Sequence, residues 1–206
     1  MILHTTDTFR WYSFPLFDAL PGVISFVTTR GGAVADDSFS TDNLGEYTDD
    51  APERVAANRR RLHDALGFDC LAAPHQVHGV EVAAVSRDWQ DSPDGDRRQM
   101  LEGVDAVMTD RTGIAVAVST ADCVPVLLYD PDHRACAAVH AGWRGMAAHI
   151  IRATVESMQA RYDTRPARLY AAVGPSIGPD SFEVGDEVVE DFLSAGFDER
   201  AVVRRY

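Results

Sequence analysis

The chain has 206 residues, 46% of them apolar and 25% charged, enough for one substantial core in ordinary globular proportions. Its formal net charge of −13 repels nucleic-acid duplexes and anionic membrane surfaces, which leaves a small molecule as the expected partner. No window approaches the ~18 apolar residues of a membrane span. The opening "MILHTTDTFRWYSFPLF" lacks the basic start and small-residue cleavage site of a signal peptide. Three cysteines, Cys70, Cys123 and Cys136, are an odd number and too few for a disulfide scaffold, so the expectation is a cytoplasmic protein with reduced thiols.

In chain order, "GVISFVTTRGG" (22–32) reads as a strand ending in a glycine turn, and "SFSTDNLGEYTDD" (38–50) as a polar loop. "APERVAANRRRLHDALGF" (51–68) carries apolar residues at helical spacing, with Pro52 in the first turn and an end at Gly67. Its Arg59-Arg60-Arg61 run reads as a solvated helix face. "VEVAAV" (80–85) is a predicted strand, followed by a polar surface loop, "SRDWQDSPDGDRRQ" (86–99). Four apolar or β-rich runs come next: "VDAVMTD", "GIAVAVST", "VPVLLYD" and "RACAAVHA". The helical "MAAHIIRATVESMQARY", the strand "ARLYAAVGP" and the helix "DEVVEDFLSAG" complete the pattern. Consecutive strands outnumber helices, which favours an α+β fold over a doubly wound parallel sheet.

The unit "STADCVPVLLYDPDHRACAAVHAGWRG" (119–145) raises a chemical question. A hairpin with a two-residue turn at Pro131-Asp132 sets residue 130 opposite 133, and therefore Cys123 opposite His140. A thiolate and an imidazole on one face at that separation suit a single zinc ion. "APHQVHGVEVAAV" adds His75 and His78 ahead of a strand, and either completes a Cys/His/His set with a fourth position left open. The competing reading makes Cys123 a small buried residue, His140 a satisfied core histidine and the other two polar loop residues. A metal-free pair, with Cys123 as nucleophile and His140 as base, uses the same geometry.

The motifs "HQVHG", "TADCVPVLLYD", "HAGWRG" and "GPSIG…FEVG", in this order from Arg30 to about Val188, resemble the laccase-domain family. Its members were once called multicopper polyphenol oxidoreductases and are now understood as zinc-dependent purine nucleoside phosphorylases with adenosine deaminase activity. The resemblance implies zinc held by His78, Cys123 and His140, with copper as the alternative metal for oxidation of phenols. It implies purine nucleosides (adenosine, inosine or methylthioadenosine) and phosphate as substrates. It also implies a layered α/β/β/α architecture with mixed sheets and two similar α+β halves, occupying residues 1–206 as a single catalytic domain.

Further residues match the family's motifs. Arg30, before two glycines, and Arg144, where a strand turns into a helix, are forks suited to phosphate oxygens; the alternative for Arg144 is packing on Trp143. Asn43 stands with Arg30 in the matching "TTR…NLG" segment and is implied to touch substrate. Asp122 either orients a ligand and accepts a proton or closes a turn, and His75 either holds His78, contacts substrate or is a solvated loop residue. Ser176 in "GPSIG" contacts ribose or phosphate, or belongs to a plain turn. The chain departs from the family between Arg30 and Asn43, at Asp180-Ser181-Phe182 where many members carry a cysteine pair, and at "VVRRY", where members usually continue into a further segment.

Overall fold

The computed structural model describes residues 1–32 and 36–204, so part of the altered 30–43 segment and the final Arg205-Tyr206 lie outside the described residues. The architecture is α+β with mixed sheets, as the strand count predicts. Its centre is a five-stranded sheet in the order β10-β8-β9-β6-β5, made of β5 (Val82–Ala84), β6 (Ala106–Thr109), β8 (Val124–Asp130), β9 (Ala135–Ala141) and β10 (Tyr170–Val173). All pairings are antiparallel except β5 with β6. Alternation sorts the side chains. Ala106, Met108, Val126, Leu128, Ala137 and Val139 face Ile150 and Met158 of helix α6 (Ile150–Tyr162). Their neighbours Val107 and Tyr129 point the other way into two smaller clusters.

Those clusters are roofed by minor sheets. β1 (Ile2–Thr5), β2 (Arg10–Ser13) and β3 (Val27–Thr28) form one, with the short helix α1 (Pro15–Asp18) placing Phe17 against Tyr129 and Ala172. β4 (Cys70–Ala72) and β7 (Ile114–Val116) pair in parallel as the other, and Ala72 and Ile114 pack with Val107. Only two residues of the 22–32 run are strand, and β1 and β2 lie in a stretch where the sequence shows no element. Among the described residues no helix is long and apolar enough to cross a membrane.

Helix α2 (Pro52–Leu66) begins and ends as its sequence predicts, with Pro52 in the first turn and Gly67 left-handed at φ 73°. Of its arginine run only Arg60 is exposed, and Arg59 and Arg61 depart from a solvated face. Arg59 donates to Leu44 O at 2.9 Å and pairs with Glu46, while Arg61 pairs with Asp42 at 2.5 Å and reaches Thr8 and Thr41 carbonyls. The two side chains hold down the 41–46 loop.

Three further expectations are corrected. The 86–99 segment is two short helices, α3 (Arg87–Asp91) and α4 (Asp94–Gln99), because buried Trp89 anchors it and donates from Nε1 to Arg97 O. The 146–162 helix is broken: α5 (Trp143–Ala147) ends before His149, which sits at φ 63°, bonds Ala195 O and stacks on Phe197. The last helices, α7 (Asp186–Ser194) and α8 (Glu199–Val202), follow β10.

The third correction is the hairpin register. Asp130 pairs with Ala135 and His140 with Pro125, so the turn has four residues and Cys123 does not directly oppose His140. A two-residue hairpin turn requires positive φ at its first residue, which the proline ring of Pro131 forbids. Instead the buried Asp130 carboxylate accepts from the Asp132 amide at 2.9 Å and engages His133 Nδ1 at 2.7 Å, and Arg134 takes the positive φ of 53°. The shift is two residues, one full period of a strand, so Cys123 and His140 keep a common face and become diagonal neighbours.

Candidate metal centre

His140 is the next-to-last residue of β9 and is 2% exposed. Its Nδ1 lies 2.7 Å from Asp105 Oδ1, at the entry to β6. Burial alone would raise the Asp105 carboxyl, but hydrogen bonds from His140 and from the Gly79 and Val77 amides outweigh it and hold the group below the ordinary aspartate range. An anionic Asp105 only accepts, so His140 Nδ1 carries the proton and Nε2 presents its lone pair.

The same carboxylate shapes the loop that carries His78. It accepts from the amides of Val77 (3.2 Å), His78 (3.0 Å) and Gly79 (2.7 Å), wrapping the loop around an anion. His78 is held at φ 62°, a left-handed conformation that costs a non-glycine residue about 1–3 kcal/mol. His78 Nε2 comes within 3.7 Å of Cys123 Sγ, and the His78 and His140 rings meet edge to face at 4.7 Å.

The ligand atoms of His78, Cys123 and His140 all lie within 4.8 Å of one another, the only such group of three among the described residues. The expected trio is therefore assembled, and His75 is outside it. Gly142 closes the cradle: a β-carbon there would stand 2.7 Å from His78 Cδ2 and 3.2 Å from Cys123 Sγ. One at Gly145 would meet Gly79 O at 2.9 Å, so helix α5 packs directly on the His78 loop. These two approaches account for both glycines of "HAGWRG".

Two imidazoles and one thiol suit zinc with one position left open. Cys136 is a different kind of thiol, pushed up to about 12 by burial. The Cys123 thiol is raised more modestly, by burial and then by Asp122 and Asp105, which disfavours a free thiolate where no cation compensates it.

The other expected residues are distributed more widely. His75 does not hold His78; its Nδ1 engages Glu102 at 2.6 Å and its ring stacks on Tyr47 at 4.3 Å. Asp122 is exposed beside Cys123, and its carbonyl accepts from the Ile177 amide, which brings the Ser176 loop alongside. Arg144 is exposed with its guanidinium 4.1 Å from the Trp143 ring centroid, the packing alternative its sequence allows. Arg30 folds back on Ser38 O at 2.6 Å. Asn43 spends its amide hydrogens on Thr48 and Asp50 and its oxygen on the Gly45 amide, so it shapes its own loop.

Arg30 and Asn43 line a cavity of about 860 Å³, largely apolar, with Phe17, Leu62, Val116 and Leu127. It adjoins the ligand group through Ser119, Thr120 and Ala121 and does not contain it. Asp105, Glu102, Tyr47 and Gly142 were not singled out by the sequence. An aspartate inside the apolar "GVDAVMTD" was the one available signal, since such a residue must find partners when the strand is buried.

The family model for multi-copper polyphenol oxidoreductase laccase matches residues 24–205, and the chain belongs to that family. A purine nucleoside phosphorylase of Bacteroides thetaiotaomicron is 38% identical over 200 residues, 96% of this chain and 74% of that protein. Adenosine deaminase RL5, from an unknown prokaryotic organism, is 41% identical over 189 residues, 91% of this chain and 72% of that protein. The crystal structure of YlmD from Geobacillus stearothermophilus superimposes with a TM-score of 0.79 at 32% identity, covering 92% of this chain and 70% of that one.

Proposed function

We propose that the chain is a zinc-dependent purine nucleoside phosphorylase acting on adenosine and inosine, with adenosine deamination as a second reaction at the same site. The observation that carries this reading is the convergence of His78, Cys123 and His140 within 4.8 Å of one another, backed by one buried carboxylate. The names of the relatives support the substrate class. A single three-residue group supports one zinc ion over a multicopper cluster, which needs several clustered histidines. The raised Cys123 thiol argues against a metal-free cysteine nucleophile. Three free thiols accord with a reducing, cytoplasmic setting.

A zinc ion held by His78, Cys123 and His140 would supply Lewis acidity there. The chain's own groups do the rest. Arg144, pre-oriented on Trp143, holds phosphate oxygens in line with the anomeric carbon, and the glycosidic C–N bond breaks as the phosphate C–O bond forms. Glu102 accepts from His75 Nδ1, which leaves the His75 Nε2 lone pair to accept a hydrogen bond from the nucleoside. Asp122 accepts the proton that the attacking phosphate releases as its oxygen bonds to carbon, and Ser176 contacts the ribose.

Purified protein supplied with inosine or adenosine is expected to release free base and ribose 1-phosphate only when phosphate is present. Equal base release in phosphate-free buffer would contradict phosphorolysis. Replacing Arg144 by Lys keeps the charge and removes the fork, and is expected to raise KM for phosphate about tenfold while leaving KM for nucleoside near its original value.

A further inference from the structure

Strands β4 and β7 run in parallel as far as Ala72 and Val116, and the Ala117 amide still donates to Ala72 O at 3.0 Å. Beyond that point the two segments diverge, one toward His78 and the other toward Cys123. One side chain spans the gap. Gln76 Nε2 donates to Ser119 O at 2.8 Å, and the Ser119 amide donates to Gln76 Oε1 at 2.7 Å. A carboxamide carries the same donor and acceptor pair as a peptide group, so Gln76 extends the parallel pairing by one rung after the backbones have separated. Two bonds to one residue fix orientation as well as distance.

The position of this rung matters for the trio. Asp105 ties His78 to His140 through the three loop amides and the His140 ring, but none of those bonds reaches Cys123. The cysteine precedes β8, whose first residue, Val124, pairs with Ala141. On its other side the Ser119 segment is free of the sheet and is joined to the His78 loop through Gln76. Gln76 stands two residues before His78, and Ser119 four before Cys123.

We propose that Gln76 is a positioning residue that holds the Cys123 arm at ligand distance from His78 and so sets the affinity of the three-residue site for a divalent metal ion. The proposal rests on the metal reading above and concerns the thiolate arm of the site. Outer residues that orient metal ligands typically change affinity about 10–100-fold when removed, and the half-buried position of Gln76 places it at the lower end.

The test uses cobalt(II) titrated into the metal-free full chain. The near-ultraviolet thiolate-to-cobalt absorption reports Cys123 ligation, and thermal unfolding of the metal-free protein is measured alongside. Gln76→Ala is expected to bind cobalt about tenfold more weakly, with a weaker thiolate band and an unchanged metal-free Tm. Gln76→Glu has the same length but sets an oxygen against Ser119 O. It is expected to show a comparable loss, and it carries the test if the alanine variant does not fold. Affinity and band equal to the parent protein in both variants would overturn the proposal, as would a loss matched by a fall in metal-free Tm. A parent protein that binds no cobalt would remove the metal reading and this proposal with it.

Discussion

Asp105 organises the site at the level of single residues, because one buried carboxylate satisfies three amides and an imidazole. Asp105→Asn preserves shape but turns an acceptor into a group that opposes donors with donors. The variant is expected to lose about 3 kcal/mol of stability and about 10–100-fold in metal affinity, measured by thermal unfolding and by metal titration. Unchanged affinity would show that Asp105 serves the fold alone. Gly142→Ala is a complementary probe, since its β-carbon would invade the cradle while the backbone there, at φ −67°, accommodates alanine. Metal content is expected to fall with the circular dichroism spectrum unchanged; full metal content would show that the cradle can widen. The Cys123 and His140 pair was legible in the sequence because reactive residue types bracket apolar runs, while the choice of His78 over His75 came from the family resemblance. Asp105 was not, because its partners arrive from residues 77–79 and 140, which only the fold brings together.

The β8–β9 hairpin shows at the scale of elements how a slipped register keeps two residues on one face. Apolar alternation fixes the face of a strand but not its offset by a whole period, so a two-residue slip left Cys123 and His140 on one side. The offset itself is set by Asp130, a side chain that the turn sequence alone does not distinguish from Asp132. Burial pushes the Asp130 carboxyl up, yet hydrogen bonds that include His133 and the Asp132 amide bring it below the ordinary aspartate range. A depressed folded-state value contributes stability above the unfolded value, about 3.9, and that contribution is lost as pH falls through the folded value. The parent protein is therefore expected to be more stable than Asp130→Asn at neutral pH and to lose this advantage progressively below about pH 4. A Tm difference independent of pH would exclude a role for the charge. Helix α2 was legible because both its ends carry cap signals, whereas α3 and α4 are too short to display a period and exist through burial of Trp89.

The whole molecule brings a strand end, a loop and a hairpin base to one point. His78, Cys123 and His140 are separated by 45 and 17 positions in the chain, and they meet because β5, β6, β8 and β9 share one sheet. The α+β class followed from the strand count, but the order β10-β8-β9-β6-β5 did not, since parallel pairing of β5 with β6 depends on contacts with no local sequence signature. This convergence is proposed to be a metal centre. Elemental analysis of protein purified without added metal, alongside Cys123→Ala, His78→Ala and His75→Ala, tests it most directly. About one zinc per chain is expected in the parent protein and in His75→Ala, and almost none in the other two. Undiminished zinc in Cys123→Ala, or its loss in His75→Ala alone, would contradict it.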